Sequence, residues 1–139
     1  MDMSRIHPEA LGATRWLTTE VHIDGDLKTN VKDEYPGVVG LSLWDMQTNR
    51  YEFFDTKTGA SKLAQGGAGF FFITGDRKHH VIIPDKGNGA VVRDIQVLDE
   101  TEFTYTRTVP EKLIDNRRPV KIWVVHKPYH GPLRFSFTR

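Results

Sequence analysis

The apolar residues of this chain come in short runs broken by turn residues, and they scarcely ever recur at the three-to-four spacing of an amphipathic helix. Strands must therefore carry the fold. Nine candidates are Arg15–Ile23, Val38–Asp45, Arg50–Asp55, Gly69–Thr74, His79–Ile83, Ala90–Leu98, Glu102–Val109, Lys121–Lys127 and Leu133–Thr138. All are rich in the β-branched and aromatic residues that suit a pleated surface. The breakers between them include Met46-Gln47-Thr48-Asn49, Gly75-Asp76-Arg77-Lys78, Asp85-Lys86-Gly87-Asn88-Gly89 and Asp99-Glu100-Thr101. Each is short enough to join antiparallel neighbours directly. Only Pro8–Ala13 and Glu111–Arg117 suit short helical turns, and neither supplies a crossover for parallel strands.

Antiparallel strands in sequence order leave two exposed edges unless the sheet closes. The expectation is an all-β, antiparallel up-and-down barrel of eight or nine strands, with a two-sheet sandwich as the main alternative. At 139 residues the chain has the length of one domain, so residues 1–139 are read as a single barrel. The stretch Thr56–Gly69, with four glycines among Ala, Ser and Lys, reads as a long loop that either covers a barrel mouth or simply connects two strands.

Several segments are familiar. Leu11-Gly12-Ala13-Thr14-Arg15-Trp16 resembles the opening of lipocalin-like (calycin-type) domains, in which a glycine precedes a tryptophan that plugs the closed end of the barrel; the spacing here is looser than Gly-x-Trp. Tyr35-Pro36-Gly37, Tyr51-Glu52-Phe53-Phe54-Asp55, Phe70-Phe71-Phe72-Ile73-Thr74-Gly75-Asp76, Leu98-Asp99-Glu100-Thr101-Glu102-Phe103-Thr104-Tyr105 and His126-Lys127-Pro128-Tyr129-His130-Gly131 resemble a bacterial lipocalin-like family classed as a domain of unknown function. The likeness runs from about Leu11 to Phe137. It implies a lipocalin-like barrel with Trp16 at its closed end, and it brings no chemistry with it.

Charge and cysteine content exclude several functions. With 19 basic and 18 acidic side chains the net charge is +1, so the chain lacks the electrostatic footprint of a nucleic-acid binder. The absence of cysteine removes disulfides, thiolate metal sites and a cysteine nucleophile. The opening Met1-Asp2-Met3-Ser4-Arg5 begins no apolar run of signal-peptide length, and no stretch approaches a membrane span. A cytoplasmic location and no membrane partner are expected; a homodimer stays open.

Metal and cofactor motifs are missing as well. His79 and His80 point to opposite faces of a strand, and His126 and His130 lie at a strand end, not on a helical turn of the HExxH kind. Solvated strand-end positions are expected for them. No G-x-S-x-G elbow is present, and Gly66-Gly67-Ala68-Gly69 leads into a strand and not into the helix that a phosphate loop requires. No metal, no cofactor and no assigned catalytic residue follow.

Aromatic side chains are the more useful signal, because in a small barrel they either fill the interior or wall a cavity. Trp44, Phe72 and Tyr105 are taken as candidate walls. On Glu102–Val109, Phe103, Tyr105 and Arg107 share a face, and on Lys121–Lys127, Ile122, Val124 and His126 are in phase. Arg107 and His126 thus become candidates for orienting an anionic or carbonyl-bearing ligand, unless both reach water at the rim. The first strand contains a conflict. If Trp16 faces inward, Thr18, Glu20 and His22 follow it while Leu17, Val21 and Ile23 face out, unless a bulge or an outer covering intervenes. In the inward reading Glu20 and His22 form an acid/base pair in the lumen.

The expected function is binding of a small hydrophobic or aromatic molecule by Glu20, His22, Trp44, Phe72, Tyr105, Arg107 and His126. The alternative is a cofactor-independent isomerase, cyclase or lyase using Glu20, His22, Tyr105, Arg107 or His126 on a substrate in the lumen. A filled barrel acting only through its outer surface is the third reading.

Overall fold

The structure, a computed structural model, describes residues 5–87, 89–110 and 119–135. Eight strands form one closed antiparallel barrel in sequence order: β1 Arg15–Ile23, β2 Leu41–Asp45, β3 Arg50–Phe54, β4 Ala68–Ile73, β5 His79–Pro84, β6 Val91–Leu98, β7 Phe103–Pro110 and β8 Pro119–Tyr129. Closure comes from β1 pairing with β8, from Arg15 opposite Tyr129 to Ile23 opposite Ile122. It satisfies both edges that a flat eight-strand meander would leave bare.

The described part of the ninth candidate strand, residues 133–135, is not a strand of the barrel. Of Leu133–Thr138, the described part makes one isolated bridge, Arg134 with Ala60, and the rest lies outside the described residues, as does the candidate helical turn Glu111–Arg117. The N-terminal turn is present as a 3-10 segment, Pro8–Gly12. The second strand begins three residues later than expected, because Pro36–Val38 forms another 3-10 turn before Leu41. Among the described residues no helix is long and apolar enough to cross a membrane.

The two ends of the barrel differ. At one, tight turns over residues 46–49, 74–78 and 99–102 join the strands, and the N-terminal segment folds across the opening. His7 N–H donates to the Leu98 carbonyl, an Arg77 Nη donates to the Ile6 carbonyl, and Arg5 pairs with Asp99 at 3.0 Å. Ile6, Ala10 and Leu11 are buried there beneath Trp16, whose indole N–H donates to the Leu11 carbonyl at 3.1 Å. This is the closed end. The other end carries the long connections, residues 24–40 and 55–67.

Two register slips set which side chains enter the lumen. Between Thr18 and Glu20 the pairing of β1 with β8 skips a residue, so Trp16, Thr18 and Val21 all face inward although 18 and 21 differ in parity. A second slip between Ile95 and Val97 lets both Ile95 and Leu98 enter the core. The interior is otherwise aromatic, with Trp16, Trp44, Tyr51, Phe71, Phe103 and Tyr105 all buried.

One close approach fixes the spacing of β4 and β5. A Cβ at Gly69 would lie 2.3 Å from the Ile83 carbonyl oxygen and 2.8 Å from the Pro84 Cα, both backbone atoms that move only with the strand. Gly69→Ala should therefore cost about 1–3 kcal/mol, as overpacking does in a dense interior. Urea titration measures it; an unchanged midpoint would mean that this ladder has slack.

Candidate functional site

The alternation of β5, β6 and β8 brings three nitrogen-bearing side chains into an otherwise apolar lumen. On β5, His80 and Ile82 face inward while His79 and Ile83 face out; on β6, Arg93 shares the inner face with Val91 and Ile95; on β8, His126 follows Ile122 and Val124. His80 lies opposite Arg93, and His126 lies opposite both Thr18 and Phe103.

His80 is 0% exposed, and neither of its ring nitrogens meets a hydrogen-bond partner. Rings surround it: Trp44 at 4.5 Å and Phe71 and Phe103 at 5.7 Å between centroids. Burial holds its pKa well below the ordinary histidine value, with the nearby Arg93 and His126 adding to the effect. The expectation of a solvated strand-end histidine is wrong for His80, because its strand neighbours Ile82 and Val81 settle its phase as inward.

Arg93 lays its guanidinium over the Tyr105 ring at 4.2 Å and near Trp44 at 6.0 Å. Its Nε is buried without a partner, and among the described residues no carboxylate forms an ion pair with it. Burial pulls its pKa below the usual arginine value, and Arg107 pushes the same way while Tyr105 opposes. Arginine stays protonated regardless, so the lumen holds an uncompensated positive charge.

His126 is 6% exposed and stacks on Phe103 at 4.9 Å and Tyr105 at 5.5 Å. Its Nδ1 lies 2.8 Å from the Phe103 carbonyl oxygen. Burial lowers its pKa to about 3, against the raising effect of that hydrogen bond and with help from Arg93. The imidazole is neutral at physiological pH.

Arg93 and His126, but not His80, border a cavity of about 240 Å³ whose walls also include Thr18, Ser42, Trp44 and Phe53. Residues 36–40 and Lys62 form its outer rim, so the loop between β3 and β4 reaches the mouth through one lysine. A larger groove of about 780 Å³ runs outside the barrel past Glu9, Arg15, Met46 and His130. The lumen is the better candidate despite its smaller size, because it is where buried polar groups lack partners.

The structure sorts the residues expected to line the lumen into two groups. Trp44, Tyr105 and His126 face inward and are buried. Arg107 keeps the phase of Tyr105 and stands close enough to Arg93 to depress its pKa, but it lies outside the walls of the 240 Å³ cavity. Glu20, His22 and Phe72 are corrections. Because of the slip after Thr18, His22 projects from the outer face, where its Nδ1 meets the Thr29 carbonyl at 2.8 Å and its Nε2 meets Glu20 at 3.0 Å. The pair clasps the 24–31 segment to the barrel wall and has no access to the lumen. Phe72 is 43% exposed, and Phe71 takes the inner position. Arg93 and His80 were missed, although the alternation that marks Arg107 also marks them, each being in phase with apolar neighbours on its own strand.

Among the described residues no group of three or more His, Asp or Glu side chains gathers in a metal-binding arrangement. The family model that matches the chain, over residues 8–137, is that of a domain of unknown function, DUF4822. No curated protein matches.

Proposed function

The chain belongs to the DUF4822 family of domains of unknown function, and from the geometry of its lumen we propose that it is a lipocalin-like binder of a small organic anion, a carboxylate on a flat or apolar body. One observation carries the reading: Arg93 is a partly buried cation whose Nε is buried and unsatisfied, beside a cavity, with no carboxylate of the described chain paired to it. A guanidinium in that position needs an anion, and its planar fork matches a carboxylate. Ser42 supports the same polarity. Its Oγ accepts the Trp44 indole N–H at 2.8 Å, which leaves its own hydrogen to donate toward the cavity. Lys62 at the rim adds a second positive charge on the way in. A volume of about 240 Å³ is roughly that of eight waters in the liquid and below the range of drug-sized sites, so one ring or a short chain fits.

The enzymatic reading loses its strongest pair, since Glu20 and His22 lie outside the barrel. Of the remaining groups, His126 is too weak a base near neutrality to draw a proton from carbon.

The test compares benzoate and hexanoate with benzamide and hexanamide by thermal shift and calorimetry. The acids should bind and raise the melting temperature, and the amides should not. Arg93→Met should abolish acid binding while leaving the ligand-free protein as stable as before or more so, because a buried charge without a partner has been replaced by an apolar side chain of similar length. Equal binding of amide and acid, or retained acid binding in Arg93→Met, would falsify the proposal.

A further inference from the structure

The cavity wall carries an imidazole acceptor beside its cationic donors. The Phe103 carbonyl only accepts, so His126 must place its hydrogen on Nδ1 to make that 2.8 Å bond. Nε2 is thereby left with a lone pair, and among the described residues the hydrogen bond of this ring runs through Nδ1 alone. The ring lies against both Phe103 and Tyr105, at interplanar angles of 19° and 28°, and the Nδ1 hydrogen bond sets which nitrogen points to the Phe103 carbonyl. The other polar side chains of the inner wall differ from it: Arg93 only donates; Ser42 accepts from the Trp44 indole and has its hydrogen free; Thr18 accepts from the Gly40 N–H at 3.0 Å and donates to the Val38 carbonyl at 3.5 Å.

Resting on the carboxylate reading above, we propose that the lumen selects carboxylates that also carry a hydrogen-bond donor, a hydroxyl or amino group on the ring or chain, and that His126 Nε2 is the acceptor that recognises it. Aryl acids with a ring hydroxyl or amino group are the class that meets all of these groups at once. The carboxylate faces Arg93 and Ser42, the ring lies against Trp44 and Phe53, and the donor reaches His126. A methoxy group of nearly the same shape has no hydrogen to offer and leaves Nε2 without a partner after water has been excluded. Sites built to hydrogen-bond a substrate group discriminate most strongly against analogues lacking it.

The experiment is a binding series of benzoate, 3- and 4-hydroxybenzoate, 3- and 4-aminobenzoate and the corresponding methoxybenzoates. At least one hydroxy or amino acid should bind roughly 3- to 10-fold more tightly than benzoate, the gain expected of one net hydrogen bond, and its methoxy counterpart should lose that gain. In His126→Phe, which keeps a flat ring against Phe103 and Tyr105, the ratio of hydroxy-acid to benzoate affinity should fall to about one, whatever the change in benzoate affinity itself. A second measurement needs no variant: in wild-type protein with ¹⁵N-labelled histidine, the Nε2 resonance of His126 should move on binding the preferred hydroxy acid and stay in place with benzoate. If acids bind through Arg93 but benzoate, hydroxy and methoxy acids bind alike, or Nε2 responds equally to all, this inference fails and the carboxylate reading stands. If no acid of the series binds, both fail.

Discussion

On acidification from pH 6.5 toward 3 the barrel should lose on the order of 5 kcal/mol of stability through His126 alone, with a further loss in the same direction through His80. The unfolded chain takes up a proton on each histidine near pH 6.5, whereas the folded barrel holds His126 neutral down to about 3 and His80 neutral well below the ordinary value. Protons therefore favour the unfolded state throughout that interval, and the stability fully present above pH 6.5 drains away as the pH falls. The cause is placement. The two imidazoles sit among Trp44, Phe71, Phe103 and Tyr105, and the nearest charged group is the Arg93 cation, which repels a second positive charge. Small domains are only marginally stable, so a loss of this size should bring unfolding within reach as the pH approaches 3. Carboxylates contribute in a lower window: Asp99, held down to about 2 by hydrogen bonds from Thr101, Arg5 and Glu102 against the opposing effect of burial, loses its contribution only as the pH falls below its ordinary value of 3.8. Urea titrations at pH 7.5, 5.5 and 4.5 separate the two. A stability unchanged between 7.5 and 4.5 would show that neither histidine is buried neutral, and His126→Phe should flatten the curve over the same interval.

The second large effect belongs to the closed end. Trp16→Ala should destabilise the barrel by about 3–5 kcal/mol, the usual cost of removing a large aromatic from a core that cannot collapse around the void. Trp16 is fully buried, packs edge-on to Phe103 at 6.0 Å and donates its indole hydrogen to the Leu11 carbonyl. Its removal empties the floor of the lumen and also orphans the carbonyl that anchors the Pro8–Gly12 turn. Trp16→Phe keeps most of the volume and loses only the hydrogen bond, so it should cost distinctly less. Chemical denaturation of the three proteins measures the series; equal stability of wild type and Trp16→Ala would mean that the N-terminal segment does not depend on this plug.

What the sequence by itself determined is the architecture and the phase of its regular strands. Short β-branched and aromatic runs joined by tight polar turns allow little but an antiparallel meander, and a meander of this length closes on itself to satisfy its edges. Where apolar and polar residues alternate cleanly, as along Phe103–Thr108, parity was enough to place Tyr105 inside, and on Pro119–Tyr129 the phase of Ile122 and Val124 did the same for His126. The same rule was legible for Arg93 between Val91 and Ile95, where it points to a cation that needs an anion.

Only the tertiary structure decided the rest. A run such as Phe70-Phe71-Phe72 has no alternation to read, so the choice of Phe71 for the interior came from its partners, Ile82 across the ladder and Trp44 across the lumen. The bulge after Thr18 inverts the phase of the remaining β1, turning Glu20 and His22 from a lumenal acid/base pair into an outer clasp. A bulge is one extra residue that leaves no mark in composition, and its position is set by which register best buries both ends of the strand: Trp16 at the closed end and Val21 against Val124. The lack of a partner for a buried charge is likewise a property of three-dimensional neighbours, since nothing along the chain states which carboxylates will be near Arg93 once the sheet has closed.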